Sequence, residues 1–597
     1  MASLVALAAA IGWNIWKSDL FLSAPEKSIA VLPFESLSRD SDNAFFADGV
    51  QDEILSSLAR VADLKVIGRT SVMQYKAGVV RDLHNIGQRL GVANVLEGSV
   101  RRSGNRVRVN AQLVDVRNQQ QLWAQTYDRD VVNVFALQTE IAENIVAQLK
   151  GKLSAQEKEA IEQKPTADLA AYDLYVRAKP LILSGMFRTP LQESLFEAVR
   201  MLNQAIERDP DFALAYYQLA HAQDVIYFSI DHTPARLAMA DAAIQSLTRL
   251  RPNSGEAHLA LARHFYWADR DYARARTELT LALKTLPNEP LAFAMLGFID
   301  RRQGRWAEST KNLERAIELD PQHPFLLTQL ANSDLCLRRY ADAEQVLDRA
   351  ITLHPKDSAT RALRSLTEHR WHADPQPSIS IVEAIIAEDP LESKNVAQAW
   401  LEAALCARDF DGARRALTAL PFAGCYDDTV PFPRAWCEGV VARAAGDNAA
   451  ARAAFNNARL EAAKLVEEQP VYAEALCVLG MADAALGNKE DAIREGRRAV
   501  ELLPVTKDAI IGPQLVQNLA LIYAWTGEKD LALKQLSDVT KVPGYLNYGD
   551  LRLHPRWDPL RGDPRFEQTV SSHAPGAATE SAGHEPRSAL RRSDSPR

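Results

Sequence analysis

Residues 290–321, PLAFAMLGFIDRRQGRWAESTKNLERAIELDP, contain the pattern that decides the fold of most of this chain. Leu296 and Gly297 are followed by Gly304, and Ala316 stands shortly before the helix-ending Pro321. Small residues at such positions allow two helices to approach closely, because the distance between helix axes depends on the side chains at the contact. The stretch therefore predicts a pair of packed helices, A and B, closed by a proline.

The same pattern recurs along the chain at a nearly constant spacing. The helix-ending prolines are Pro210, Pro252, Pro287, Pro321, Pro355 and Pro390, separated by 42, 35, 34, 34 and 35 residues. This series resembles tetratricopeptide repeats, with about seven to ten units, some of them imperfect. The resemblance implies an all-α tetratricopeptide-repeat solenoid over residues 165–570. Residues 360–470 keep the helical periodicity without the clean signature, which indicates degenerate units or an insertion around Pro421–Pro433.

The repeat array is predicted to end in a cap. Leu551–Val570, LRLHPRWDPLRGDPRFEQTV, resembles the terminal motif of arrays found in regulators and cyclase-associated proteins. Its Trp557, Leu560 and Phe566 are expected to cover the last apolar helix face, as the end of a solenoid requires. Residues 571–597 are rich in Ser, Ala, Pro, Gly and Arg, and this composition predicts a disordered tail.

A small α/β domain is predicted before the repeats, over residues 27–153. Ser28–Phe34 (SIAVLPF) has the continuous apolarity of a strand buried on both faces. Apolar residues then recur at helical spacing from Phe46 to Val61. Further strands are expected at Leu64–Ile67 and Asn94–Val100, with a helix at Asp82–Leu90 between them. A hairpin with its turn at 103–105 and a closing helix over 135–149 complete the domain.

These segments resemble the TolB-like N-terminal domain of bacterial membrane-bound winged-helix regulators and of class III adenylate cyclase-associated proteins. The resemblance rests on SIAVLPF, FFADGVQDEILSSLAR, VLEGSVRRSGNRVRVNAQLVD and LWAQTYDRD, which cover most of the domain in the right order. In such proteins the domain lies across a membrane helix from a winged-helix or cyclase module. The sequence contains no such output module.

Residues 1–23 are expected to form an apolar N-terminal helix that anchors the chain to a membrane. Ala2–Trp16 is an uncharged run with two tryptophans at its end, which suits the interface of a bilayer. A cleaved signal peptide and a soluble hydrophobic helix are the alternatives, because the run is shorter than about twenty residues and no basic residue precedes it. The abrupt start suggests that Met1 lies inside a longer ancestral chain. The rest is expected to be periplasmic at the bacterial inner membrane, although charge does not settle the orientation.

Composition and motifs argue against several classes of function. The 597 residues carry a formal net charge of −8, so direct nucleic-acid binding is not expected. No phosphate loop, dinucleotide turn, zinc-protease helix, nucleophile elbow or kinase signature occurs, and neither a catalytic residue nor a cofactor is predicted. His369 and His372 are interpreted as ordinary surface histidines, since no third ligand is near them in sequence. The arginines around the hairpin are interpreted as the solvent face of a half-buried strand.

The five cysteines show no metal or disulfide framework. They are Cys336, Cys406, Cys425, Cys437 and Cys477. Most lie in apolar helical stretches and are expected to be small buried residues. Cys425 and Cys437 flank the Pro-containing loop and could pair in an oxidising compartment, which the sequence leaves open.

The remaining candidate site is the groove formed by the A helices of the repeats. Counting from the small residues gives the candidates for partner binding, which are Tyr217, His221, Arg263, Phe298, Arg301 and Asn332. Aromatic and arginine residues in a groove suit peptide recognition. We therefore expect a non-catalytic, membrane-anchored scaffold or sensor that binds proteins. The alternatives are a separated sensory half of an adenylate cyclase or transcription-regulator system, and an enzyme with an unrecognised active site.

Overall fold

The computed structural model describes residues 24–37, 42–76, 81–185, 191–231, 233–422, 424–427 and 429–576. The expected N-terminal anchor and the tail from residue 577 onward lie outside them. The chain divides into two compact units. The first runs to Ile299 and includes Lys311–Leu326, and the second comprises Asp300–Thr310 and the residues from Leu327 onward.

The first unit begins with a small α/β domain built on a mixed sheet. Its strands are β1 (Ser28–Val31), β2 (Glu35–Ser36), β3 (Lys65–Val66), β4 (Asn94–Ser103), β5 (Arg106–Asp115) and β6 (Gln120–Asp130). The strand order is β3-β1-β4-β5-β6, and β2 also pairs with β4. β1 is parallel to β3 and β4, whereas β4, β5 and β6 form an antiparallel meander. The sequence pattern did not predict β6, because its side chains are mostly exposed and lack a regular apolar alternation.

Five helices belong to this domain and to the link that follows it. They are α1 (Asp42–Ala59), α2 (Arg69–Val72), α3 (Leu83–Leu90), α4 (Val134–Gln148) and α5 (Ala155–Glu162). Val50, Ile54 and Leu58 on α1 are fully buried, as their helical spacing predicts. Asp82 caps α3 by accepting a hydrogen bond from the Asn85 amide at 3.2 Å.

The helical repeats of the first unit follow. Their helices are α6 (Leu169–Gly185), α7 (Leu191–Arg208), α8 (Ala213–Ser229), α9 (Pro234–Leu250), α10 (Gly255–His264) and α11 (Tyr272–Thr285). Phe265–Asp269 forms a π-helical turn between α10 and α11. The next three helices cross the division between the units, and they are α12 (Pro290–Arg302), α13 (Trp306–Leu319) and α14 (Pro324–Cys336).

The second unit continues with helical pairs. They are α15 (Tyr340–Leu353), α16 (Ser358–His372), α17 (Gln376–Glu388), α18 (Ser393–Ala407), α19 (Phe410–Ala419), α20 (Arg434–Ala444), α21 (Asn448–Glu468), α22 (Ala473–Leu486), α23 (Lys489–Leu502), α24 (Ile511–Trp525), α25 (Lys529–Val539), α26 (Tyr548–Leu553) and α27 (Pro564–Ser572). A two-stranded hairpin, β7 (Cys425–Asp427) and β8 (Val430–Phe432), interrupts the helices where the sequence indicated an insertion.

The glycines of the repeat signature have two different roles. Gly480 lies at a close helix contact, since an added Cβ would come within 3.0 Å of the Ala492 carbonyl oxygen. Gly304 and Gly487 instead end their helices with φ of 74° and 89°, a left-handed conformation that suits glycine. Close approach of helices therefore accounts for only part of the sequence pattern.

The C-terminal segment packs within the second unit. Trp557 and Phe566 are fully buried, and their ring centroids are 6.1 Å apart. The Trp557 indole donates a hydrogen bond to Asp550 at 2.7 Å. Burial of both rings, with the indole nitrogen satisfied, fixes this segment in the core of the second unit.

Candidate functional site

The α/β domain packs against the repeats of the first unit. Asn288 donates hydrogen bonds to the carbonyls of Ala59 and Val61 at 3.2 and 3.1 Å. Asp320 accepts a bond from the Ser71 amide at 2.8 Å. Apolar residues of the sheet and of the repeats form one continuous core. This repeat surface is therefore occupied by another part of the same chain.

Two ion-pair clusters reinforce that packing. Asp52 on α1 pairs with Lys179 on α6 and, at 2.7 Å, with Arg69. Arg60 at the end of α1 pairs with Glu256 on α10. Burial by itself raises the pKa of Asp52, but the charges of Arg69 and Lys179 outweigh it and hold that pKa well below its usual range. The carboxylates of Asp52 and Glu256 stay ionised in the folded protein and join the α/β domain to the repeats.

A polar cavity of about 240 Å³ remains between the α/β domain and the repeats. Three of the sequence candidates, Tyr217, His221 and Arg263, line it. The Arg263 guanidinium lies 5.3 Å from the centroid of the Tyr217 ring, and His221 stacks on Trp267 at 6.3 Å. Arg263 is only 3% exposed, and its Nη1 atom has no hydrogen-bond partner in the part of the chain that the structure describes.

Two carboxylates at the wall of this cavity also lack a cationic partner among the described residues. They are Glu53 on α1 and Glu289 at the start of α12. Burial raises the pKa of Glu53 to about 7, while Lys179 acts in the opposite direction. Burial likewise raises the pKa of Glu289, and the charge of Arg263 only partly offsets this. The cavity is therefore lined by two arginines, Arg251 and Arg263, and by two carboxyl groups that form no ion pair with any described residue.

The other three sequence candidates are placed elsewhere. Phe298 is half-buried in the first unit, with its ring 6.5 Å from Tyr266 and 5.9 Å from Phe325. Arg301 and Asn332 belong to the second unit. There Arg301 donates a hydrogen bond to the Gln329 side chain at 2.8 Å, and Asn332 is half-buried. Among the candidates, the structure brings Tyr217, His221 and Arg263 together in one cavity.

A second cavity, of about 260 Å³, lies within the second unit, and sequence reasoning missed it. Its apolar wall includes Phe432, Trp436 and Trp525, with the two indole rings stacked at 5.9 Å. Phe432 comes from the hairpin, whereas the tryptophans come from α20 and α24. The repeat signature gave no signal for this site, because the hairpin is absent from the repeat pattern.

Arginines supply the polar part of this second cavity. Arg370 pairs with Glu402 at 2.9 Å, Arg408 with Asp558 at 2.7 Å and Arg556 with Asp550 at 2.9 Å. Arg443 instead lies 3.9 Å from the centroid of the Trp525 ring and forms no ion pair with any described residue. Burial lowers the pKa of Arg443, yet an arginine remains charged in proteins. The pocket thus carries one unpaired positive charge beside an aromatic wall.

A disulfide joins the hairpin to α20 at the edge of this pocket. It links Cys425 and Cys437, the two cysteines that the sequence left as a possible pair. Cys336, Cys406 and Cys477 are buried thiols, as expected of small apolar side chains. Tyr426, between the disulfide and the hairpin turn, is 59% exposed at the rim.

Several smaller expectations can be checked against the structure. The prediction that His369 lies on the surface was wrong, because its side chain is fully buried in the helix packing. The described residues contain no group of three or more metal-ligating side chains. Arg106 and Arg108 lie on the solvent face of β5 and pair with Asp128, as a half-buried strand predicts. In the described part of the chain, no helix is both long enough and apolar enough to cross a bilayer.

Family models match three parts of the chain. Residues 25–144 match the second domain of HilA/YgeH-like transcriptional regulators. Residues 301–366 and 438–505 match tetratricopeptide repeats. The chain thus has a HilA-like regulator domain near its N-terminus, followed by tetratricopeptide repeats.

One curated relative and two solved structures show the extent of the similarity. A putative adenylate cyclase 3 of Rhizobium meliloti (strain 1021) is 38% identical over 245 residues, which are 41% of this chain and 41% of the relative. The chain therefore matches about two fifths of the length of that relative. The pilus biogenesis factor PilW is 16% identical, with a TM-score of 0.28, over 37% of this chain and 96% of PilW. Pseudomonas aeruginosa pilF is 18% identical, with a TM-score of 0.28, over 36% of this chain and 91% of that protein.

Proposed function

We propose that this chain is a non-catalytic, membrane-anchored scaffold or sensor whose repeats bind a protein partner. The observation that carries the proposal is the pocket of the second unit, where Trp436 and Trp525 form a wall beside the unpaired Arg443. Tryptophan and arginine are the residue types that most often dominate binding at protein interfaces. No cofactor is needed for such recognition.

The chemistry of this pocket favours a peptide segment that combines an apolar or aromatic side chain with a carboxylate. The indole rings offer apolar surface, and Arg443 provides a charge-assisted hydrogen bond. Because Arg370, Arg408 and Arg556 already have acidic partners, Arg443 is the group that an incoming carboxylate would neutralise. Arg301 and Asn332 are proposed as further contacts of the same unit.

The first unit has a different role in this proposal. Tyr217, His221 and Arg263 are covered by the α/β domain, so partner binding is assigned to the second unit. Phe298 remains a groove candidate of the first unit. We include in the proposal a TolB-like character of residues 27–153, supported by the strands and hairpin found where that resemblance expects them. Residues 1–23 are proposed to hold the chain at the inner membrane, with its repeats in the periplasm.

A protein is favoured over nucleic acid as the partner. The net charge is −8, and the exposed arginines of β5 are neutralised by Asp128. Proteins that bind nucleic acid through its phosphates normally present an unpaired basic surface. Residues 25–144 match a domain of HilA/YgeH-like transcriptional regulators, namely the second domain of those proteins.

A separated sensory half of a cyclase or regulator system is the second candidate function. It is supported by the 38% identity to part of a putative adenylate cyclase and by the match to a regulator domain. In that case the partner of the repeats would carry the output activity. Assay of the purified chain for cyclic nucleotide formation is expected to give none, and measurable cyclisation would contradict the proposal.

Selection of peptides from a random display library tests the proposed pocket directly. The full chain is expected to enrich peptides with an acidic residue next to an aromatic or aliphatic one. Arg443→Gln should lower the affinity of selected peptides at least about tenfold, since a charge-assisted bond contributes roughly 1.5 to 3 kcal/mol.

Arg452→Gln is the matched control, because Arg452 is an exposed arginine on the neighbouring helix α21. It should leave peptide affinity unchanged. Equal affinities of the Arg443→Gln and Arg452→Gln proteins would place peptide binding outside this pocket and contradict the proposal.

A further inference from the structure

The polar cavity of the first unit contains charges that the protein leaves unbalanced. Arg263 is almost completely buried, and its Nη1 atom has no hydrogen-bond partner among the described residues. Glu289 accepts a hydrogen bond from the Leu291 amide at 3.1 Å but forms no ion pair there. Buried polar groups are normally satisfied, and a buried arginine with a free N–H group is costly unless something binds to it.

Several neighbouring charges in this cavity are already paired. Asp52 is held by Arg69 and Lys179, and Glu256 by Arg60. Asp320 accepts hydrogen bonds from Ser71. These groups join the α/β domain to the repeats. The groups left for a ligand include Arg263, Glu289 and Glu53, and Arg251 and Lys164 also line the cavity without an ion pair to any described residue.

We propose that this cavity binds a small zwitterion of the amino-acid class, with its carboxylate at Arg263 and its amino group at Glu289, and with Glu53 as a second carboxyl group of the same site. The guanidinium matches a carboxylate by paired N–H donors, and a carboxylate matches an ammonium group. The cavity measures about 240 Å³, below the roughly 300 to 1,000 Å³ of pockets for drug-sized ligands.

The position of the cavity gives ligand binding a consequence for the fold. Its walls come from α1 of the α/β domain and from α8 and α10 of the repeats. A ligand that contacts both walls stabilises their packing, because it binds the folded protein and not the unfolded chain. The amino acid would therefore act as a signal that fixes the α/β domain on the repeats. This proposal does not depend on partner binding by the second unit.

Binding to the full chain can be tested by titration calorimetry and by thermal unfolding. The probes are L-arginine, L-lysine, L-alanine and L-glutamate, with propionate and propylamine as compounds that carry only one of the two groups. At least one amino acid is expected to bind saturably and to raise the melting temperature. Propionate and propylamine at the same concentration should do neither. If none of the four amino acids binds at concentrations up to about 10 mM, the proposal is overturned. Binding of propionate as tightly as the amino acids would overturn it as well.

Two variants connect this binding to the proposed residues. Glu289→Gln and Arg263→Gln should each weaken amino-acid binding at least about tenfold. Glu207→Gln and Arg249→Gln are matched controls, because both residues are exposed on the helices α7 and α9 of the same unit. If Arg263→Gln impairs folding, Glu289→Gln decides, since an uncharged side chain fits where burial already raises the pKa. Unchanged affinity in Glu289→Gln would contradict the proposal.

Proton release gives a readout that a purely structural role would not affect. Burial raises the pKa of Glu53 to about 7 and raises that of Glu289, so both bind protons more readily in the empty cavity than in water. An ammonium group beside either carboxylate would lower its pKa and expel the proton. Calorimetry near pH 7 in two buffers of different ionisation enthalpy should therefore show proton release. No difference between the buffers would contradict pairing of the amine with these groups.

Discussion

At the scale of residues, Asp52 shows how a buried charge joins the α/β domain to the repeats. Its carboxylate lies between Arg69 and Lys179, and all three side chains are largely removed from water. Loss of one member of such a cluster leaves uncompensated buried charge, which costs far more than the loss of an exposed ion pair. Stability of the first unit should therefore depend strongly on this one residue.

We expect Asp52→Asn to lower the free energy of unfolding by about 3 to 5 kcal/mol, measured by urea denaturation at pH 7. Asp48→Asn is the control, because Asp48 pairs with the exposed Lys76 at 2.9 Å and should contribute at most about 1 kcal/mol. Similar losses in both variants would show that burial of the cluster has no special importance.

The same cluster predicts the direction of a pH effect. The folded pKa of Asp52 is below its unfolded value of about 3.9. The stabilisation is therefore fully present above about pH 4 and is lost as the pH falls towards the folded value. Acid unfolding curves should show a smaller loss of stability for Asp52→Asn than for the wild type over this range.

At the scale of elements, the turns of the repeats show how one backbone requirement can be met by different residues. One of the first two residues after a helix adopts a left-handed conformation at Gly304, Gly487 and Gly527, but also at Arg338 and Arg408. Glycine adopts this conformation without strain, whereas other residues pay roughly 1 to 2 kcal/mol. Repeats with arginine at this position therefore escape a search for the glycine signature although they keep the same turn.

The disulfide-linked hairpin is the element that most clearly departs from the repeat pattern. Cys425 and Cys437 are separated by 12 positions, and closure of a loop of about this length stabilises a protein by roughly 3 kcal/mol. We expect dithiothreitol to lower the melting temperature of the wild type. The double variant Cys425→Ser, Cys437→Ser should melt lower than the oxidised protein and be insensitive to dithiothreitol. A wild type indifferent to the reductant would contradict a stabilising role of this bond.

At the scale of the whole molecule, the proposed N-terminal anchor decides whether the scaffold is bound to a membrane or free in solution. Residues 1–23 lie outside the described part of the chain, so the proposal rests on their uncharged run and its two terminal tryptophans. A helix of about fifteen apolar residues is short for a full span, but an apolar end with aromatic residues partitions into a bilayer.

Fractionation of cells that express the full chain, or a version beginning at Ala24, tests this anchor. The full chain is expected in the membrane pellet after an alkaline carbonate wash, and the shortened version in the supernatant. Equal partitioning of the two versions between pellet and supernatant would contradict the proposed anchor. Calorimetry of the shortened version then serves as the control that it is folded.

The sequence by itself determined the order of most of the elements, although not the position of β6. Helical spacing predicted the buried face of α1, and the recurring prolines predicted the repeats from which most of the chain is built. It also indicated the place of the insertion, and counting from the small residues of the repeats gave Tyr217 and His221 as candidates on one helix. All of these features depend on residues close together along the chain, where periodicity and turn chemistry are informative.

Only the tertiary structure decided what covers each surface. Contacts such as those of Asn288 with Ala59, or of Asp320 with Ser71, join residues more than two hundred positions apart. Likewise, Trp436 and Arg443 of α20 meet Trp525 of α24 only because two helices far apart along the chain pack around one cavity. Such contacts depend on how helices and sheet pack in space, and no local pattern encodes them. For this reason the sequence predicted a groove but not that the α/β domain fills part of it.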